Sequence, residues 1–339
     1  MQHTGQWRCT VSKGQLKIGV MGTADIAVSR VIPNLGKSKR VRVQAISSRD
    51  EAKAKKWAEE LGIVQYFGSY EQMLHKGDVE AVYIPLVNSL HAEWTVRSLS
   101  MGKHVLCEKP LALTSRDAYR MLQTARDNKL VLMEGFMYRY HPRNLSVFEM
   151  VSRGEIGTLK AIQSSFSYVL DDDSSYLMNK ALGGGSLYDI GCYPVNVSRM
   201  LTRKEPIEVY GTANFSSAGV DMNLQGILRF PGGVISSVHA AMDEEAQFWY
   251  RVIGDRGIIE VPWAFVSFGK ETEIIIQKDE KQEKQSFKGC DEYVLEFDHF
   301  ADMIEGSAEP MYPLEDSARN LEVIESLLKS ARRGKTVKL

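Results

Sequence analysis

Over residues 16–134 the chain alternates, with a regularity that few folds can accommodate, between short apolar runs and helical patterns. The runs are Leu16–Met21, Val41–Ser47, Val64–Tyr66, Val79–Ile84, His104–Cys107 and Val131–Met133. Between them lie helical patterns at Ile26–Gly36, Glu51–Leu61, Tyr70–Leu74, Ala92–Met101 and Ser115–Asn128. The runs are β-branched and mostly apolar rather than strictly alternating. Strands of that kind are covered on both faces, which predicts a parallel sheet with helices on each side. Helix starts carry capping signals, with Asp50 ahead of Glu51 and Thr114 three residues before Asp117.

After Pro142 the pattern changes. A helix at 142–152 leads into longer alternating stretches at 159–170, 207–216, 224–230, 234–241, 249–253, 258–261 and 273–277. Turns such as Pro231–Gly233 and Gly254–Gly257 separate them, which is the mark of an antiparallel sheet with hairpins. Helices are expected at 186–201, 291–305 and 314–332, and the charged stretch 278–288 reads as a solvated hairpin loop. The fold class is therefore α/β. A doubly wound parallel sheet of Rossmann type over 16–138 precedes an α+β domain over 139–339 with a large open, mostly antiparallel sheet. Residues 1–15 have no apolar signal core and read as a flexible leader.

Composition narrows the function. With 42 Lys plus Arg against 43 Asp plus Glu, the net charge of -1 argues against a nucleic-acid or membrane-surface partner. No apolar run reaches the roughly 20 residues a membrane span needs. Cys9, Cys107, Cys192 and Cys290 are scattered without a C-x-x-C, so neither a metal site nor a disulfide framework is expected, and a cytoplasmic setting fits.

In a doubly wound sheet, ligands bind beyond the carboxyl ends of the strands. The first strand runs into G-T-A-D-I-A, Gly22–Ala27, where a dinucleotide fingerprint would read G-x-G-x-x-G/A. Gly22 suits the tight turn and Ala27 the close packing, while Ala24 adds a methyl where a pyrophosphate would approach. Thr23, Asp25 and Ile26 complete the loop, which is either a cofactor cradle or a plain strand-to-helix turn. The second strand ends in Ser47, Ser48 and Arg49, where an NAD site wants a carboxylate. Hydroxyls and a guanidinium suit a 2′-phosphate, so NADP is favoured with NAD possible, against the alternative of one more exposed arginine.

Two further motifs carry chemistry. In C-E-K-P, Lys109 follows a strand directly and can donate to a substrate oxygen, or it is a solvated turn residue. In G-G-G-S-L-Y-D-I-G-C-Y-P, Asp189 and Tyr193 are four apart on a helical pattern. They can orient a hydroxyl and exchange its proton, or they are a core tyrosine and an exposed aspartate. Taken together and in this order, these motifs resemble the Gfo/Idh/MocA family of oxidoreductases over residues 16–339. The residues N-S-L-H-A-E-W (Asn88–Trp94) and F-M-Y-R-Y-H-P (Phe136–Pro142) add to the resemblance.

The resemblance implies an NAD(P)-binding first domain and an open sheet that forms a homodimer or homotetramer interface. It implies cofactor contacts at Leu86, Asn88, His91, Glu108 and Lys109, and a cis bond at Lys109–Pro110. Many members have histidine where Tyr193 stands. The tyrosine, with G-x-A-x-x-A and S-S-R, is similar to the branch of dihydrodiol dehydrogenases, D-xylose dehydrogenases and nucleotide-sugar 3-ketoreductases. Val87 departs from the usual P-L-P-N. The implied function is hydride transfer between NADP(H) and a hydroxyl or carbonyl carbon of a small sugar or cyclic polyol. Lys109, Tyr193 and Asp189 would be the catalytic residues and Arg139, Tyr168 and Asn179 the pocket residues, with no metal. A non-catalytic dinucleotide-binding regulator and an NAD-dependent glycoside-cleaving enzyme are the alternatives on the same fold.

Overall fold

The structure, a computed structural model, describes residues 14–172 and 174–339. The expected leader falls outside the described residues up to position 13, as do Cys9 and Asp173. The chain divides into two compact units. One holds the described residues up to Leu111 together with Arg116–Gly135 and Tyr293–Asp316; the other holds Ala112–Ser115, Phe136–Glu292 and Ser317–Leu339.

The first unit is built on β1 (Leu16–Met21), β2 (Val41–Ser47), β3 (Gln65–Phe67), β4 (Ala81–Ile84), β5 (His104–Glu108) and β6 (Leu132–Gly135). They form one parallel sheet in the order β3-β2-β1-β4-β5-β6. That is the doubly wound order with its switch point between β1 and β4. Every residue of β4 is buried, as a strand covered on both faces requires. Helix Ser115–Asn128 buries Ala118, Met121, Leu122 and Ala125, a stripe at helical spacing. Helix Glu51–Leu61 starts where the Asp50 side chain accepts from the Lys53 N–H.

Helix Asn88–Ser100 begins four residues earlier than the pattern at 92–101 indicates. The unit also takes in helix Glu292–Glu305, which the chain-continuous reading assigns to 139–339. Phe297 packs edge-on against Tyr83, 5.1 Å between centroids, and Arg40 pairs with Asp302 and Glu305. The amphipathic pattern predicts the helix but does not say which sheet it covers.

The second unit has a nine-stranded sheet. Its strands are β7 (Leu159–Val169), β8 (Glu208–Phe215), β9 (Asp221–Arg229), β10 (Ile235–Ala241), β11 (Asp243–Gly254), β12 (Ile258–Val261), β13 (Thr272–Lys278), β14 (Lys281–Phe287) and β15 (Val337–Lys338). The order is β14-β13-β12-β11-β7-β10-β9-β8-β15, and all pairs are antiparallel except β7 with β10. Helix Asp316–Arg333 lies on one face. It comes so close that a Cβ on the cross-strand pair Gly211 and Gly226 would sit 3.0 Å from the Leu327 carbonyl and 2.9 Å from its Cδ2. The outer face keeps Tyr210 (44%), Ile227 (43%) and Ile235 (48%) exposed.

The stretch 278–288, expected as a loop, is largely strand β14. It is polar and exposed along its length, so it carries no hydrophobic alternation. What holds it is the ladder to β13, with Lys284 paired to Glu273 at 2.8 Å.

Candidate active site

The first unit supplies the cofactor side. After β1, Gly22 takes φ +93 and its N–H donates to the Ser47 carbonyl at 2.8 Å. A Cβ here would meet Leu86 Cδ2 at 2.8 Å, the end of a side chain that can shift, so it is the positive φ that favours glycine at this turn. The chain then enters a π turn over Ala27–Val31 that continues as helix Ile32–Leu35, and no side chain caps its start. Thr23 and Ala24 are half-buried, Asp25 and Ile26 exposed. An uncapped helix start behind a glycine turn offers backbone N–H groups and the positive end of the dipole to an anion, which fits a pyrophosphate.

The end of β2 separates three residues that the sequence treats together. Ser47 is fully buried and its hydroxyl donates to the Val20 carbonyl at 3.2 Å, so it ties β2 to β1 and does not face a ribose. The Ser48 hydroxyl accepts from the Asp50 N–H at 3.2 Å. Arg49 is exposed and stands near the Tyr70 phenol. Burial raises the Tyr70 pKa and Arg49 opposes it. The Tyr70 ring stands edge-on to Trp94 at 4.9 Å, so the aromatic near the guanidinium is fixed. The one acidic side chain at this strand end, Asp50, is engaged as the helix cap. An exposed arginine here, with Asp50 engaged as the helix cap, fits a 2′-phosphate. Tyr70 was not singled out in the sequence; its S-Y-E-Q start reads only as a helix beginning.

Beyond β4, Leu86 is half-buried against the Gly22 turn and Asn88 is buried at the helix start. His91 departs from the expected cofactor contact. It is fully buried, and its ring nitrogens face the Pro110 and Leu86 carbonyls, each at 2.8 Å. Beyond β5, Glu108 Oε1 accepts from the Tyr83 hydroxyl at 2.7 Å. Burial pushes the Glu108 carboxyl up, while Tyr83 and Lys109 pull it down. Lys109–Pro110 is cis, as the resemblance implies, and the following Leu111 N–H donates to Glu134 Oε1 at 2.8 Å.

The second unit supplies the other set. Tyr193 lies in helix Cys192–Thr202 and is 4% exposed. Four rings enclose it: Phe136 at 5.3 Å, Tyr138 at 5.6 Å, Phe166 at 5.2 Å and Phe265 at 5.4 Å. Its hydroxyl donates to Met137 Sδ at 3.5 Å, a weak acceptor. Asp189 lies within a π turn, Leu187–Gly191, so the simple four-residue spacing to Tyr193 crosses a change of helix pitch. Asp189 Oδ2 accepts from the Tyr168 hydroxyl at 2.7 Å, which joins two residues chosen separately from the sequence.

The other pocket choices are placed differently. Arg139 is buried and donates to Asn196 Oδ1, which also accepts from Tyr138. A guanidinium so enclosed serves the interior. Asn179 is exposed and its side chain accepts from the Ala181 N–H, capping a short turn. Among the described residues no cluster of three or more His, Cys, Asp or Glu is placed to hold a metal. No described helix is long and apolar enough to cross a membrane.

Comparison with known proteins agrees with this fold. Residues 16–136 match a family model described as an oxidoreductase family, NAD-binding Rossmann fold, and residues 145–260 match a GFO/IDH/MocA C-terminal domain. The chain is 35% identical over 327 residues to D-xylose 1-dehydrogenase (NADP(+)) 2 of Haloferax volcanii, covering 96% of this chain and 100% of that protein. An aldose-aldose oxidoreductase from Caulobacter crescentus, complexed with glycerol, superposes with a TM-score of 0.89 at 28% identity, covering 96% of this chain and 100% of that one. A 3-ketoreductase from Actinomadura kijaniata, in complex with NADP and TDP-benzene, superposes at 0.88 with 29% identity, covering 94% and 98%.

Proposed function

The chain belongs to the Gfo/Idh/MocA family of oxidoreductases, and from that premise we propose that it is an NADP(H)-dependent enzyme acting on a hydroxyl or carbonyl carbon of a sugar or related cyclic polyol. The cofactor, when bound, accepts or gives the hydride. The Gly22 turn and the helix start behind it would hold its pyrophosphate, and Arg49, near Tyr70, would hold the 2′-phosphate. The observation that carries the reading is the Tyr168–Asp189 hydrogen bond of 2.7 Å beside the ring-enclosed Tyr193. It gives an oriented carboxylate and a phenol on one short segment, the two groups that hydroxyl recognition and proton transfer call for.

In this reading Tyr193 takes the proton from the substrate hydroxyl in oxidation and returns it to the carbonyl oxygen in reduction. Lys109 donates to the same oxygen and, as a cation, favours the phenolate. Asp189, oriented by Tyr168, accepts from a neighbouring substrate hydroxyl. The surrounding rings exclude water and offer apolar faces to a sugar ring. The test is a reduction and oxidation screen with NADP(H) and NAD(H) over aldoses, cyclic polyols, dihydrodiols and nucleotide-bound ketosugars. Turnover with at least one class and preference for NADP(H) is expected. Absence of turnover across the panel, with no NADPH binding, overturns the reading.

We also propose that the outer face of the large sheet joins copies of the chain into a homodimer or homotetramer. Tyr210 and Ile227 are cross-strand partners and Ile235 lies on the next strand, all more than a third exposed. Ile227→Asp is expected to lower the mass measured by light scattering to that of a smaller species. An unchanged mass removes this face as the contact.

A further inference from the structure

Lys109 stands on a turn whose next two backbone groups are both held. The Pro110 carbonyl faces His91 Nδ1 at 2.8 Å, and the Leu111 N–H donates to Glu134 Oε1 at 2.8 Å. The other His91 nitrogen, Nε2, faces the Leu86 carbonyl at 2.8 Å. Leu86 follows β4 and Pro110 follows β5, and these strands are neighbours in the sheet. One ring thus spans the two loops that leave adjacent carboxyl ends, one against the Gly22 turn and the other bearing Lys109.

We propose that His91 is a positioning residue for Lys109: lying between the Leu86 and Pro110 carbonyls and donating from Nδ1 to the latter, it sets where the Lys109 ammonium meets the substrate oxygen. This rests on the reading of Lys109 given above. A histidine that only filled core space would need an acceptor for its one N–H, but not neighbours on both of these loops. Here both ring nitrogens are committed to backbone oxygens of the two loops, and the ring is fully buried. A neutral imidazole donates from one nitrogen, so its tautomer selects which loop is held; a charged ring holds both. Burial works against the charge and lowers the pKa, which the two carbonyls partly offset. The ring is therefore a directional link, and removing it frees the Lys109 turn on the side that Glu134 does not hold.

The experiment compares His91→Ala, His91→Gln, Lys109→Met and the double variant His91→Ala/Lys109→Met in the full chain. Each is followed by NADPH affinity, kcat, and the pH profile of the oxidation. His91→Ala is expected to lower kcat about tenfold or more, since small displacements of a positioned group are costly in rate. It should move the acid limb of the profile to higher pH, as Lys109→Met does, because a misplaced cation favours the phenolate less. His91→Gln, whose amide can still donate to one carbonyl, should recover part of the loss. In the Lys109→Met background, His91→Ala should lower kcat little further. An unchanged kcat and profile in either folded His91 variant overturns the proposal, as does an equal fold-loss with and without Lys109. Full activity in Lys109→Met overturns the reading of Lys109 itself, which is a different outcome. Should the alanine variant not fold, the glutamine variant gives the same comparison.

Discussion

The candidate groups of the first unit and those of the second are held by different means. Gly22, Arg49, Leu86 and Lys109 stand on loops at the carboxyl ends of parallel strands, and most of their partners are backbone atoms or one fixed side chain. Tyr193 stands inside a helix, and its surroundings are rings from Phe136, Tyr138, Phe166 and Phe265. The first arrangement suits a ligand that keeps one geometry, since backbone N–H groups cannot be varied without moving the turn. The second suits substrates that differ between relatives. Rings can be exchanged one at a time while the helix stays put. This contrast predicts that changes in the second set alter turnover and substrate, while changes in the first alter cofactor affinity, Lys109 excepted because it acts on the substrate oxygen.

The largest expected effect tests the second set. Tyr193→Phe keeps the ring and its four aromatic neighbours and removes only the hydroxyl. Turnover should fall by about 10²-fold or more, the usual worth of a positioned acid-base group. NADPH affinity, read by fluorescence titration, should be unchanged. Undiminished turnover would erase the contrast, because the second unit would then supply packing and no chemistry. Next comes the first set. Arg49→Ala should raise the Michaelis constant for NADP about 10-fold or more, given the usual strength of a charge-assisted hydrogen bond, with little change for NAD. Tyr70→Phe removes the phenol near the guanidinium and keeps the guanidinium, so it should act in the same direction and more weakly. Equal effects on both cofactors would take the 2′-phosphate away from Arg49.

The same contrast explains what could be read before the fold was known. The strand-end loops were legible because a parallel doubly wound sheet places every such loop at one edge, so order along the chain gives position in space. Asp189 and Tyr193 were legible as a spacing, but the π turn beneath Asp189 has no local sequence signature. The cage around Tyr193 draws on residues up to 72 positions away, from Tyr193 to Phe265, and no periodicity connects them. Tyr168 was picked out for a pocket and found holding Asp189. His91 and Ser47 were picked out for a cofactor and found bonded to the strands and loops that carry it. In each case the residue type was informative and its direction was not, because direction is set by partners far away in the chain. Strand β14 was missed for a related reason: its stability lies in the ladder to β13, and side-chain pattern does not report on ladders.

The smallest expected effect concerns stability, and the two units should share it. Each keeps a histidine whose Nδ1 accepts a hydrogen bond from a backbone N–H: His104 from Val131 at 3.0 Å in the first, His141 from Arg143 at 3.1 Å in the second. A protonated ring cannot accept there. Burial lowers the His104 pKa from 6.5 to about 4. Burial, helped by the nearby Arg143 charge, lowers that of His141 from 6.5 to about 4 as well. Because both folded-state values lie below the unfolded value, the unfolded chain takes up protons first as pH falls. The contribution of each ring is complete above pH 6.5, shrinks as pH falls below it, and is gone once pH passes the folded value near 4. The unfolding temperature should therefore drop by about 5 °C between roughly pH 7 and pH 5, before most carboxylates titrate. His104→Gln should flatten that slope for the first unit and His141→Asn for the second. If each substitution flattens part of the slope, each ring carries its own share of the acid sensitivity. A double variant that loses as many degrees as the parent over the same interval would assign the slope to other groups, and the two histidines would then be acceptors without consequence for acid stability.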